Sequence, residues 1–244
     1  MSILLFIFGA VIGSFLNVCI YRLPQGKSIV SPPSACGSCG HRLSAIDLVP
    51  IFSWVLLRGK CRHCGERVSA RYAVVELLTG ALFVFAYLQI GLTWTLAKAL
   101  FLISMLVVMI FIDLDHKIIL DGQNALLALA GFLFIWLPGG PTWQSAGFGL
   151  LVGGGLLFII AIFGPMGGGD IKFMAAAGLW LGLGKTILAL YVGFIAGGLI
   201  SLLLLVTKVR SRKDMIPFGP FLALGVFIAY FYYEQLLTWY VTIL

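Results

Sequence analysis

Thr93-Trp-Thr-Leu-Ala-Lys-Ala-Leu-Phe-Leu-Ile-Ser-Met-Leu-Val-Val-Met-Ile-Phe-Ile112 is a run with one charge, Lys98, and it is followed at once by Asp113-Leu-Asp115. A bilayer crossing takes about 20 predominantly apolar residues. The stretch therefore reads as a transmembrane helix, and its last turn carries carboxylates that are expensive at membrane depth. What surrounds this helix follows from that reading.

Similar runs lie on both sides. With Thr93 to Ile112, candidate spans are Ile3 to Tyr21, Val74 to Ile90, Asn124 to Leu137, Ser145 to Phe163, Phe173 to Leu183, Thr186 to Val206 and Phe218 to Tyr240. Gly182 and Gly184 mark either a tight turn or a kink between the sixth and seventh. The 244 residues are 61% hydrophobic and 10% charged, against roughly 25% charged in a soluble domain. A soluble fold, a disordered chain and a disulfide scaffold are all excluded by this composition. No basic stretch precedes the first run, so it is expected to stay as an anchor.

The few charges are unevenly placed. Arg22, Lys27, Arg42, Arg58, Lys60, Arg62, Arg67 and Arg71 share one polar stretch with only Asp47 and Glu66, and Lys208, Arg210, Arg212 and Lys213 form a second cluster. Basic loops beside spans face the cytoplasm. With eight crossings both termini lie outside, and fourteen of the sixteen basic residues fall at cytoplasmic ends, Lys98 and Lys185 being the exceptions. Such loops need no nucleic acid to explain them, and none is expected; the first loop suits anionic membrane lipid.

The first polar stretch also contains Cys36-Gly-Ser-Cys39 and Cys61-Arg-His-Cys64, each followed by glycine, Gly40 and Gly65. Two paired thiolates at this spacing suit a tetrahedral zinc ion. A reducing loop disfavours disulfides, and a closed zinc site supplies folding energy to a segment too short for a core. Redox chemistry and unligated thiols are the alternatives. His41 and His63 read as exposed knuckle residues, and Cys19 as a small buried residue of the first span.

Asp113, Asp115 and Asp121 close the third span, and Gly167-Gly-Gly-Asp170 opens the sixth, at the same expected depth. Two carboxylates sharing a proton can activate a water and polarise a carbonyl. Capping of helix N-termini and pairing with Lys117 or Lys172 is the structural alternative, favoured for Asp115 and Asp121.

Taken together, Gly13-Ser-Phe-Leu-Asn-Val-Cys-Ile-Tyr-Arg-Leu-Pro24, the paired Cys-x-x-Cys loop, Arg71-Tyr-x-x-Val-Glu-Leu-Leu-Thr-Gly80, the Asp113 segment, Gly-Gly-Gly-Asp170 and Pro217-Phe-Gly-Pro220 resemble the type IV prepilin peptidases. These are bifunctional leader peptidase/N-methyltransferases of the bacterial plasma membrane and aspartic proteases of the Gly-x-Gly-Asp type. The resemblance implies Asp113 and Asp170 as catalytic, with Asp115 as the substitute for the first, and Cys36, Cys39, Cys61 and Cys64 as zinc ligands. It implies prepilin or pseudopilin substrates cut at the cytoplasmic face, then methylated from S-adenosylmethionine, with Glu76 and Gly59 as candidate cofactor residues. No Gly-x-Gly-x-x-Gly marks such a cofactor site. Leu120 and Ala73 stand where the family usually has proline.

The expected fold is therefore an all-α polytopic membrane protein of about eight transmembrane helices. A first helix at 1–21 precedes a small cytoplasmic zinc-ribbon-like loop at 22–71 associated with methyl transfer, and a seven-helix peptidase part fills 72–244. A small transporter or proton channel using the same carboxylates as a relay is the rival reading, although no internal repeat supports it. A zinc-bearing scaffold without chemistry is the third.

Overall fold

The computed structural model describes residues 1–164, 166–208 and 216–243. Of the second basic cluster Lys208 is described, whereas Arg210, Arg212 and Lys213 lie outside the described residues. The elements are α1 (Ser2–Arg22), α2 (Phe52–Leu56), α3 (Arg71–Ile90), α4 (Trp94–His116), α5 (Asp121–Phe134), α6 (Trp143–Phe163), α7 (Gly168–Val206) and α8 (Gly219–Ile243). Among the described residues there is no strand, only isolated bridges at Ala35 with Arg42 and Lys60 with Arg67. Many large apolar side chains on these helices are exposed, including Ile3, Leu4, Leu151, Phe163, Leu202 and Trp239. Exposure of that extent fits lipid as the solvent. The protein is a multi-pass membrane protein.

The chain forms two compact units, Met1–Phe111 and Ile112–Leu244. In the first, α1 packs on α3 through small residues. Gly9 and Gly13 lie one helical turn apart, and a Cβ at Gly9 would sit 2.8 Å from the Gly80 Cα, one at Gly13 2.8 Å from the Glu76 Cα. Only glycine permits so close an approach, which in lipid replaces the hydrophobic drive for helix association.

In the second unit α7 packs against α5, α6 and α8. Its 39 residues are interrupted at Gly182, where φ is +72°. Met174 and Thr186 would be about 18 Å apart along a straight helix, yet a Cβ at Gly153 of α6 would touch both. The arms of α7 therefore pass α6 in opposite directions, and Gly182 turns the chain rather than kinking one long helix. The N–H of Leu183 donates to Ser145 Oγ at 3.0 Å and the Thr186 hydroxyl to the Gly182 carbonyl at 2.7 Å, so the backbone groups freed at the turn are partnered.

Six described helices are long and apolar enough to cross a membrane, counting α7 once. The arm before Gly182 and α5, at 14 residues, are both shorter than a full crossing requires. Eight separate crossings are thus not established by helix length.

Candidate functional site

The two aspartates singled out in the sequence stand at helix ends in the second unit. Asp113 sits near the end of α4 and is 5% exposed. Its Oδ2 accepts a 2.9 Å bond from the backbone N–H of Gly219, the first residue of α8. A helix N-terminus offers unpaired N–H groups and a positive dipole end, both of which favour a carboxylate. This gives the Pro217-Phe-Gly-Pro220 motif a physical use that sequence reading had not assigned.

Asp170 lies in the first turn of α7, where its N–H donates to the Gly167 carbonyl at 3.1 Å. A Cβ at Gly167 would come within 2.8 Å of Asp170 Oδ2, so the glycine leaves the carboxyl its space. Asp170 lies within reach of the Asp113 charge. Such a pair can hold one proton between them and carry out acid and base steps together.

Asp121 and Asp115 are placed differently. Asp121 is the first residue of α5 and is exposed; it pairs with Lys172 at 2.8 Å, as expected, but no side chain caps the helix, whose N-cap is Leu120. Asp115 is exposed.

Sequence reading missed Asn124. This side chain is 5% exposed, its Nδ2 donates to the Gly169 carbonyl at 3.4 Å, and its buried Oδ1 accepts no bond from the protein. Gly169 also packs on Ile119, from which a Cβ would be only 3.0 Å away. Asn124 and Ile119 thus hold the glycine run that presents Asp170. The available signal was an amide within an otherwise apolar span.

The four cysteines of the first unit converge. Their sulfurs all lie within 4.8 Å of one another, Cys36 and Cys64 at 3.9 Å. A tetrahedral ion with Zn–S bonds of about 2.3 Å would set sulfurs about 3.8 Å apart, so the donor set fits zinc. Two matching turns build it. The Gly40 N–H donates to the Cys36 carbonyl at 2.9 Å and the Gly65 N–H to the Cys61 carbonyl at 3.0 Å, with φ of +69° and +73° at the glycines. Backbone N–H groups of Cys39 and Ser38 aimed at its sulfur hold the Cys36 thiol down at about 6. The His41 and His63 rings stack at 3.4 Å between centroids. Beside the cluster Asp47 accepts from Ser44 and, at 2.7 Å, from Arg62, which keeps its carboxyl at about 2.

Glu76 is buried in α3 at 8% exposed, and its Oε2 accepts a 2.7 Å bond from the N–H of Ile51. Ile51 has φ +63°, a conformation costly for a β-branched residue. Gly59 has φ +66° and abuts the Trp54 ring, whose Nε1 donates to the Val68 carbonyl at 3.0 Å. Both residues are therefore engaged in the loop's own packing.

Fold and site together define a polytopic helical membrane protein with a four-thiol loop and two carboxylates at helix ends, Asp113 buried and Asp170 partly exposed. Residues 7–90 match the bacterial peptidase A24 N-terminal domain and residues 100–202 the type IV leader peptidase family. The chain is 33% identical to a prepilin leader peptidase/N-methyltransferase of Aeromonas hydrophila, covering 98% of this chain and 93% of that protein. It is 32% identical to one of Bacillus subtilis (strain 168), covering 98% and 97%, and 36% identical to one of Myxococcus xanthus (strain DK1622), covering 86% and 65%. No solved structure matches it. The chain belongs to the type IV leader peptidase family.

Proposed function

We propose that this protein removes the N-terminal leader of type IV prepilins and pseudopilins with Asp113 and Asp170, at the cytoplasmic face of the bacterial plasma membrane, and methylates the new N-terminus. The observation that carries the reading is the carboxylate pair, one member seated on the α8 N-terminus and the other on a glycine run. One carboxylate takes a proton from a water as its oxygen attacks the scissile carbonyl, and the protonated partner donates a hydrogen bond to the developing oxyanion. Collapse of the tetrahedral intermediate breaks the C–N bond, the amine leaves with a proton from the dyad, and the pair is left sharing one proton again.

Residues 22–71, with the flanking helices, are assigned to the methyl-transfer side and the helices from 72 onward to the peptidase. Cys36, Cys39, Cys61 and Cys64 would hold a zinc ion that joins the two knuckles; its contribution is folding energy. S-adenosylmethionine would supply the methyl group. Glu76 and Gly59 fit direct contact with it poorly, because Ile51 occupies one Glu76 oxygen and Trp54 covers Gly59. Their support for methyl transfer is the shape they give the loop.

Purified wild type incubated with a prepilin in detergent should release the leader, read as a mass loss, and gain one methyl when S-adenosylmethionine is added. Cleavage surviving in either Asp113→Ala or Asp170→Ala would refute the assignment.

A further inference from the structure

We propose that α2 and the turn before it form a foot that lies in the interfacial layer of an anionic bilayer and holds the cysteine loop down on the membrane. The helix is apolar on its outer face: Phe52, Val55 and Leu56, at the i, i+3 and i+4 spacing of one side, are 67%, 56% and 80% exposed. In the preceding turn Ile46, Leu48 and Val49 are exposed as well. The opposite side of α2 is committed inward, because Trp54 packs on Gly59 and bonds Val68.

Depth argues for lipid as the occupant. Ile51, the residue before α2, is bonded to Glu76, the sixth residue of the spanning helix α3, and Gly13 of spanning α1 closes on the Glu76 backbone. A five-residue helix extends only about 7.5 Å, so α2 cannot rise far above the point at which it is anchored. Exposed Tyr21 on α1 and Tyr72 on α3 mark the same end of those spans, where aromatic side chains favour the headgroup level.

Charge supplies the second argument. Arg58 and Lys60 follow α2 directly, and the loop's other cations outnumber Asp47 and Glu66. An apolar face with a basic rim is the pattern of an in-plane membrane element, with the cations reaching lipid phosphates. The inference does not depend on the peptidase reading, since it concerns only where the loop rests.

The full-length protein, carrying photoreactive benzoylphenylalanine at Phe52 or at Leu56, would be irradiated in nanodiscs of phosphatidylcholine with and without phosphatidylglycerol, and adducts read by mass. Phospholipid adducts are expected at both positions, at least threefold more abundant with phosphatidylglycerol, and absent from a control at Ser38. Crosslinks only to a second copy or to added prepilin, or no adduct, would overturn the proposal. Should the substituted chains not fold, amide exchange on unmodified protein decides the matter. Residues 52–57 should exchange at least threefold more slowly in the phosphatidylglycerol discs, and equal exchange in both counts against the foot.

Discussion

The backbone N–H of Gly219 and the Oδ2 of Asp113 lie 2.9 Å apart although 106 residues separate them in the chain. This bond brings the start of α8 to the end of α4 and gives a buried carboxylate the donor it needs. Asp113→Asn keeps an acceptor for Gly219 but cannot act as a base, so the fold should survive while leader cleavage falls by about 10² or more. Asp113→Leu should in addition lower stability by about 1–3 kcal/mol, because the Gly219 N–H loses its partner. Thermal unfolding and a gel-based cleavage assay distinguish the two, and an active Asp113→Asn protein would remove Asp113 from the dyad.

Gly167 and Gly168 should respond differently to alanine. A Cβ at Gly167 would crowd Asp170 Oδ2, whereas one at Gly168 meets nothing within 4 Å. Gly167→Ala is expected to lower kcat about tenfold or more with KM little changed, as misplacement of a reacting group does. Gly168→Ala should behave as wild type. Equal kinetics for both variants would mean that the glycine run does not set the carboxyl position.

Zinc should be found at about one ion per chain, and the Cys36→Ser/Cys61→Ser double variant should lose it. The first loop should then become sensitive to protease, since the segment has little core of its own. Elemental analysis and limited proteolysis read these separately. Metal-free protein with a protease-resistant loop would exclude the structural role.

Glu76→Ala should strand the N–H of Ile51 and release its strained backbone, whereas Glu76→Gln retains an oxygen that can accept. The expected outcome is loss of methyl transfer in Glu76→Ala with leader cleavage within about threefold of wild type, and partial recovery in Glu76→Gln. Mass spectrometry of the pilin product separates the two activities. If both fail together, Glu76 serves the whole fold rather than the loop.

Asn124→Leu keeps the volume of the side chain and removes its bond to Gly169. One such bond contributes about 0.5–1.5 kcal/mol net, and the deletion also removes a buried acceptor that nothing in the protein satisfies. Stability should therefore change little while cleavage falls about tenfold, with Asn124→Asp intermediate. Unchanged cleavage at unchanged stability would show that the amide does not position Asp170.

Much of this was legible in the residues themselves. The bilayer admits only α-helices and closed β-barrels, and a continuous apolar run of the length of Thr93 to Ile112 suits the helix, found as α4 (Trp94–His116). Cys-x-x-Cys pairs followed by glycine likewise allow few local geometries, and the knuckles formed at Cys36 and Cys61 as the spacing predicts. The segment around Gly182 was ambiguous because glycine tolerates either a kink or a reversal. Packing against Gly149, Gly153 and Ser145 of α6 chose the reversal.

Composition and periodicity thus determined by themselves that the chain is helical and lipid-embedded, with a thiol loop and a few carboxylates too expensive to be idle. Those properties are local, set by each segment's own solvation and backbone preferences. Tertiary structure alone decided which distant groups meet: Gly219 with Asp113, Asn124 with Gly169, Ile51 with Glu76. Each of these is a single hydrogen bond between segments far apart in the chain. No periodicity encodes it, because its partners are chosen by how closely glycine-lined helices can pack.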